Sequence, residues 1–141
     1  RANCVIINGE KNTDIENRIL SHNKEIKIFY SKYKAQNIDK FKNKKVTAFA
    51  GIGNPVNFFN LLKNNNIDIL EEISFPDHYE YLDKELENLI NKAKENNTIL
   101  LTTEKDYLRI DENYKKNINC LKIVVEIENR NQFIEEIKKV I

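Results

Sequence analysis

Apolar residues along this chain come in short blocks, some at strand spacing and some at helix spacing, with charged stretches between them. Cys4–Ile7 is an apolar run closed by the turn pair Asn8-Gly9, and it predicts a short buried strand. Ile15–Leu20 predicts a short helix, capped by Thr13 or Asp14. Glu25–Tyr33 alternates, with Ile26, Ile28 and Tyr30 on one face and Lys27, Phe29 and Ser31 on the other, as a half-buried strand does. Gln36–Lys44 is a polar connector anchored by Ile38 and Phe41. Val46–Ala50 is a small, apolar, strand-like run, and Phe58, Phe59 and Leu62 lie at helix spacing just after it. Ile67–Ile73 alternates in part and predicts another strand.

The second half repeats the scheme. Asp83 is placed to cap a helix that runs to about Asn96, with Leu82, Leu86, Leu89, Ile90 and Ala93 as its apolar positions. Thr98–Thr102 predicts a buried strand, Glu104–Ile110 a short helix, and Leu121–Ile127 a further strand. Asn131–Ile141 predicts an amphipathic helix with Phe133, Ile134, Ile137 and Val140 facing inward. Strands alternating with helices at this spacing imply a single α/β domain over residues 1–141. Its sheet is mostly parallel, with helices on both faces, in a Rossmann-like three-layer sandwich. Ligands of such sheets meet the loops at the carboxyl ends of the strands. Three loops have that position: Gly51–Pro55, Phe75–Tyr79 and Thr102–Asp106.

Composition narrows the picture. Hydrophobic residues make up 40% and charged residues 32%, a balance that supports a folded core rather than disorder. Lys and Arg number 23 against 22 Asp and Glu, so no excess of positive charge argues for a nucleic-acid partner. Cys4 and Cys120 stand apart in apolar runs and read as reduced core thiols, not as a disulfide frame or a metal site. No apolar run approaches the length of a membrane span. The chain contains no methionine, so Arg1 is not read as a translational start, and the chain is expected to be a piece of a longer protein.

Chemistry concentrates in the three loops. Gly51 and Gly53 allow a tight turn after the Val46–Ala50 strand. Asn54 suits a helix N-cap, and Pro55 suits the first helical position. Gly51-Ile52-Gly53 opens like a dinucleotide fingerprint, but Val56 stands where its third glycine belongs. There is no G-x-x-x-x-G-K-[ST] phosphate loop. The turn is read either as a steric requirement for small residues or as a contact with a ligand or partner. His78, beside Asp77 in the Pro76 loop, is the residue type best matched to proton transfer near neutral pH; the plainer reading is a solvated loop histidine. Tyr79 and Tyr81 serve either as a contact surface or as packing for the loop. Thr103, Glu104, Lys105 and Asp106 end a buried strand. Thr103 fits a cap, and Glu104 and Asp106 suit the positive end of a helix dipole. The alternative is a polar cluster facing a site, with Lys105 available to a phosphate.

Three segments together, AFAGIGNPVNFFNLL (Ala48–Leu62), SFPDHYEY (Ser74–Tyr81) and LLTTEKDYLRI (Leu100–Ile110), resemble the C-terminal half of the tetraacyldisaccharide 4′-kinase family. The family pattern is A-F-A-G-I followed by P-x-x-F-F, then (F/L)-x-D-H, then T-E-K-D, and all occur here in order. RANCVIING (Arg1–Gly9) also looks like the family segment of the R-A-D-x-x-x-x-N kind, so the resemblance spans essentially the whole chain.

The resemblance implies the C-terminal lobe of a P-loop kinase. Such an enzyme phosphorylates the 4′-hydroxyl of a lipid-linked disaccharide 1-phosphate in lipid A biosynthesis. It implies ATP and Mg²⁺ as cofactors, bound mainly by an N-terminal lobe outside this chain, and no metal site here. It implies that lobe and the lipid substrate as partners, with membrane contact through that lobe. The implied location is cytoplasmic, peripheral on the inner membrane of a Gram-negative bacterium. His78 matches the family histidine that pairs with an N-lobe aspartate. Asp77, Gly51, Gly53, Asn54, Thr103, Glu104, Lys105 and Asp106 fall in the matching motifs, and the resemblance implies that they contact substrate or line the cleft. The reading from a different class is a stand-alone Rossmann-like binding module without catalysis.

Overall fold

The computed structural model describes residues 2–139. They divide into two compact units, residues 2–34 with 124–139, and residues 35–123. In the larger unit the strands β3 (Lys45–Ala50), β4 (Asp68–Ser74), β5 (Ile99–Thr103) and β6 (Asn119–Leu121) form one sheet in the order β4-β3-β5-β6. All three pairings in it are parallel. Parallel strands need crossovers, and helices supply them: α2 (Pro55–Asn64) leads from β3 to β4, α3 (Asp83–Glu95) from β4 to β5, and α4 (Glu104–Arg109) with α5 (Glu112–Lys115) from β5 to β6. The chain steps outward from β3 in one direction and then in the other. The switch point therefore lies between the carboxyl ends of β3 and β5.

Alternation along the central strand sorts the core onto two faces. Val46, Ala48 and Ala50 share one cluster with Phe58, Phe59 and Leu62 of α2 and with Ile38 and Phe41 of a 3₁₀ turn, Ile38–Phe41. Phe49 belongs to a second cluster, with Leu86, Leu89, Ile90 and Ala93 of α3 and Leu100. Burial on both faces is why β3 reads as a continuous apolar run instead of an alternating one. Thr47, fully buried, satisfies its hydroxyl against Thr98, 2.7 Å away.

The smaller unit contains β1 (Cys4–Asn8), α1 (Thr13–His22), β2 (Lys27–Ala35), β7 (Ile123–Ile127) and α6 (Arg130–Lys138), with strand order β1-β2-β7. The β1 and β2 strands run parallel. Phe29 meets Phe133 edge-on at 5.2 Å between ring centroids. Val140, placed inward by its spacing, lies outside the described residues.

Four local expectations change. In β2 the buried residues are Phe29 and Ser31, not the Ile28–Tyr30 face. Tyr30 uses its hydroxyl at a half-wet position instead, donating to Glu16 at 2.8 Å and accepting from the Asn12 N–H. Asn12, not Thr13 or Asp14, caps α1. At α3 the cap position falls to Leu82, with Asp83 as first helical residue; the Glu85 carboxylate accepts the Leu82 N–H at 3.0 Å. Finally, the Leu121–Ile127 run is two strands, β6 and β7, in different sheets. Asn37 holds the break, accepting the Lys122 N–H at 2.8 Å and donating to the Cys120 carbonyl at 2.9 Å.

Burial predicts which leucines matter. Leu101→Ala, at 0% exposure, should cost about 2–5 kcal/mol by urea denaturation. Leu82→Ala, at 64% exposure, should change stability by less than about 0.5 kcal/mol.

Candidate functional site

The three loops meet at the switch point, and Gly51 joins them. Its N–H donates to Asp106 Oδ2 at 3.1 Å. Its carbonyl accepts from the His78 N–H at 3.1 Å and from Arg109 Nη2 at 2.9 Å. The neighbouring Ala50 carbonyl accepts the Phe75 N–H at 2.8 Å. The turn after β3 is thus bonded to the loop after β4 and to α4 (Glu104–Arg109), the helix after β5. A side chain on Gly51 has no room: a Cβ there would lie 2.8 Å from the Tyr81 hydroxyl and 3.1 Å from Tyr79 Cβ. Gly53 is looser, since its Cβ would meet only Asp77, at 3.3 Å.

Asp106 is the charge at the centre. It has 0% exposure, so water cannot solvate it, and a buried carboxylate must be paired and hydrogen-bonded. Its Oδ1 takes Arg109 Nη2 at 2.6 Å, and its Oδ2 takes the Thr103 hydroxyl at 2.7 Å together with the Gly51 N–H. Thr103 is also the cap of α4, where its Oγ1 accepts the Asp106 N–H. The dipole role read for Asp106 therefore gives way to a buried, structural one. Arg109 went unmarked in the sequence; its only signal was the three-residue spacing from Asp106 on a short helix.

Beside this knot four aromatic rings pack together, mostly edge to face. Phe49, Phe75, Tyr79 and Tyr81 have neighbouring centroids 4.9–6.3 Å apart, so the two tyrosines serve as packing. Tyr79 donates to Glu85 at 2.7 Å, and that bond, with burial, raises its pKa. The Tyr81 hydroxyl is buried without a hydrogen-bond partner among the described residues. Burial, and next the Asp106 charge, push its pKa far above the ordinary phenol value.

In front of the knot lies an open depression of about 360 Å³, lined by Ile52, Gly53, Asp77, His78, Lys105, Leu108 and Arg109. The His78 ring stands in solvent, with 86% of its side chain exposed, although its backbone is pinned. Its φ of +56° lies in the left-handed region, and its N–H is shared between the Gly51 carbonyl and Asp77 Oδ1, at 3.0 Å. The ring Nε2 is 3.9 Å from Asp77 Oδ2. Of the residues singled out in the sequence, Gly53, Asp77, His78 and Lys105 come together here, while Gly51 and Asp106 lie behind them. Asn54 is the cap of α2, Thr103 the cap of α4, and Glu104 the first residue of α4; none of the three lines the depression.

Truncating the central carboxylate leaves Arg109 partly buried and unpaired. Asp106→Ala should therefore cost about 3–5 kcal/mol in chemical denaturation, whereas Tyr81→Phe, which removes an unpartnered hydroxyl, should be neutral or slightly stabilising. Gly51→Ala should cost about 1–3 kcal/mol in the same assay and clearly more than Gly53→Ala.

Known proteins share this architecture. The chain matches the family model for LpxK, tetraacyldisaccharide-1-P 4′-kinase, over residues 1–141. It is 47% identical over 105 residues to the tetraacyldisaccharide 4′-kinase of Rickettsia akari, covering 74% of this chain and 31% of that protein. It is 36% identical over 138 residues to the protein of that name from Pelagibacter ubique, covering 96% of this chain and 44% of that protein. The chain thus spans less than half the length of these curated relatives. In fold it is similar to a crystal structure of LpxK from Aquifex aeolicus, an "apo" form in complex with ATP. The TM-score is 0.59 at 21% identity, with 97% of this chain and 51% of that chain covered. The ordered motifs and the family match over residues 1–141 agree: the chain belongs to the tetraacyldisaccharide 4′-kinase family.

Proposed function

We propose that this chain is the C-terminal part of an ATP-dependent lipid kinase that phosphorylates the 4′-hydroxyl of a tetraacyldisaccharide 1-phosphate. Family membership over the whole chain supports this over a stand-alone binding module. The observation that carries the chemistry is His78: a solvent-facing imidazole on a pinned backbone, at the strand ends where α/β proteins act on ligands.

Phosphoryl transfer needs alignment, charge stabilisation and a group to receive the hydroxyl proton. The His78 ring can take that proton. A carboxylate on the preceding lobe would orient the ring and share its positive charge, as in other carboxylate–imidazole pairs. Splitting the pair between lobes would make turnover depend on closure, which also excludes water. Lys105 adds positive charge beside His78 in the depression.

ATP and Mg²⁺ supply the phosphoryl group and its charge neutralisation. The chain has no P-loop, and among the described residues no group of three or more His, Cys, Asp or Glu is placed to hold a metal. Both are assigned to the N-terminal lobe, as is contact with the membrane. Among the described residues no helix is long and apolar enough to cross a membrane. The lipid acceptor places the reaction at a membrane surface, in this reading the cytoplasmic face of the inner membrane of a Gram-negative bacterium.

The test is ATP-dependent phosphorylation of a lipid disaccharide 1-phosphate by the full-length protein. His78→Ala should lower kcat by about a hundredfold or more with the fold intact. Unchanged turnover would reduce His78 to a loop residue and remove the mechanism.

A further inference from the structure

We infer that Arg109 is a positioning residue for the His78 corner, acting through the Gly51 carbonyl and held in place by the buried Asp106 carboxylate. The inference rests on His78 being the proton acceptor, as proposed above.

A side chain with a Cβ at φ +56° is strained, and the surrounding structure has to enforce it. The His78 N–H is shared between Asp77 Oδ1, at 3.0 Å, and the Gly51 carbonyl, at 3.1 Å, and of the two only the Gly51 bond ties the corner to another loop. That carbonyl is itself fixed. Arg109 Nη2 donates to it at 2.9 Å, occupying its other lone pair. The same Nη2 donates to Asp106 Oδ1 at 2.6 Å, and Arg109 Nε donates to the Lys105 carbonyl at 3.3 Å. Asp106 Oδ2 meanwhile accepts the Gly51 N–H. One ion pair thus grips Gly51 by both its N–H and its C=O, and Gly51 grips His78.

The direction of the constraint follows from burial. Asp106 is sealed at 0% exposure, so the carboxylate is the fixed end. Arg109 keeps 29% of its side chain exposed at the edge of the depression. Without the guanidinium, the Gly51 carbonyl would lose a charged donor and gain freedom to rotate. The imidazole would then sample orientations away from the reacting hydroxyl. Small displacements of an aligned group are costly to rate and cost little in ground-state binding.

A double-mutant cycle in the full-length kinase tests this, using His78→Ala, Arg109→Gln and the two combined, with Arg109→Lys as the conservative variant. Arg109→Gln should lower kcat about tenfold or more, with KM for ATP and for the lipid changed less than about threefold. In the His78→Ala background the same change should alter kcat by less than about twofold, because nothing remains to be positioned. Arg109→Lys keeps a cation opposite Asp106 and should recover part of kcat. An equal loss in both backgrounds, a loss confined to KM, or a lowered Tm with kcat intact would each overturn the inference; a loss confined to KM would instead make Arg109 a substrate contact. If His78→Ala costs a hundredfold while Arg109→Gln costs nothing, only the Arg109 inference falls. If His78→Ala itself costs nothing, the proposed chemistry falls and takes this inference with it.

Discussion

A carboxylate cut off from water sets the terms for the rest of this site. Asp106 has to find its cation and its donors within the protein, and it draws them from the turn after β3, the end of β5 and the helix α4. Removing one partner strands a buried charge, so the three segments hold together or fail together. The requirement reaches into the sequence as a glycine. Gly51 approaches Asp106 and Tyr81 so closely that a methyl group would collide with them.

This knot stands where the sheet topology leaves a gap between strand ends. With β4 on one side of β3 and β5 and β6 on the other, the crossovers run to opposite sides of this gap. A rigid backbone and a free side chain then coexist within one residue: His78 has its N–H tied down and its ring in solvent. Under the proposed function, taking a proton from a substrate hydroxyl asks for that combination, a fixed origin and an accessible tip. The aromatic cluster of Phe49, Phe75, Tyr79 and Tyr81 stiffens the same corner from the core side.

Much of this was legible in the residues, and the failures have physical causes. The buried strand Val46–Ala50, the Asn54-Pro55 helix start and the α3 core positions from Leu86 to Ala93 follow from periodicity and capping, which are local. The break at Lys122 is not local: Asn37, 85 residues away, makes it, and a lysine within a strand-like run reads equally well as an exposed strand position. Phe29 and Tyr30 look equally suited to a core; the choice between them turns on Glu16 and Phe133, which only the fold brings near. Asp106 has the position of a surface carboxylate favourable to a helix dipole, and its burial depends on Arg109 and Gly51 together. His78 was recognisable by type and motif, but its left-handed backbone was not, since histidine gives no such signal as glycine does.

Amide hydrogen exchange on the full-length protein addresses the central claim directly. If the buried carboxylate pins the strand ends, the Gly51 N–H should exchange only through global unfolding. The His78 N–H, in an exposed loop, should be far slower than its solvated neighbours, and Asp106→Asn should release both. A His78 amide that exchanges at the rate of an open loop in the unaltered protein would contradict the account.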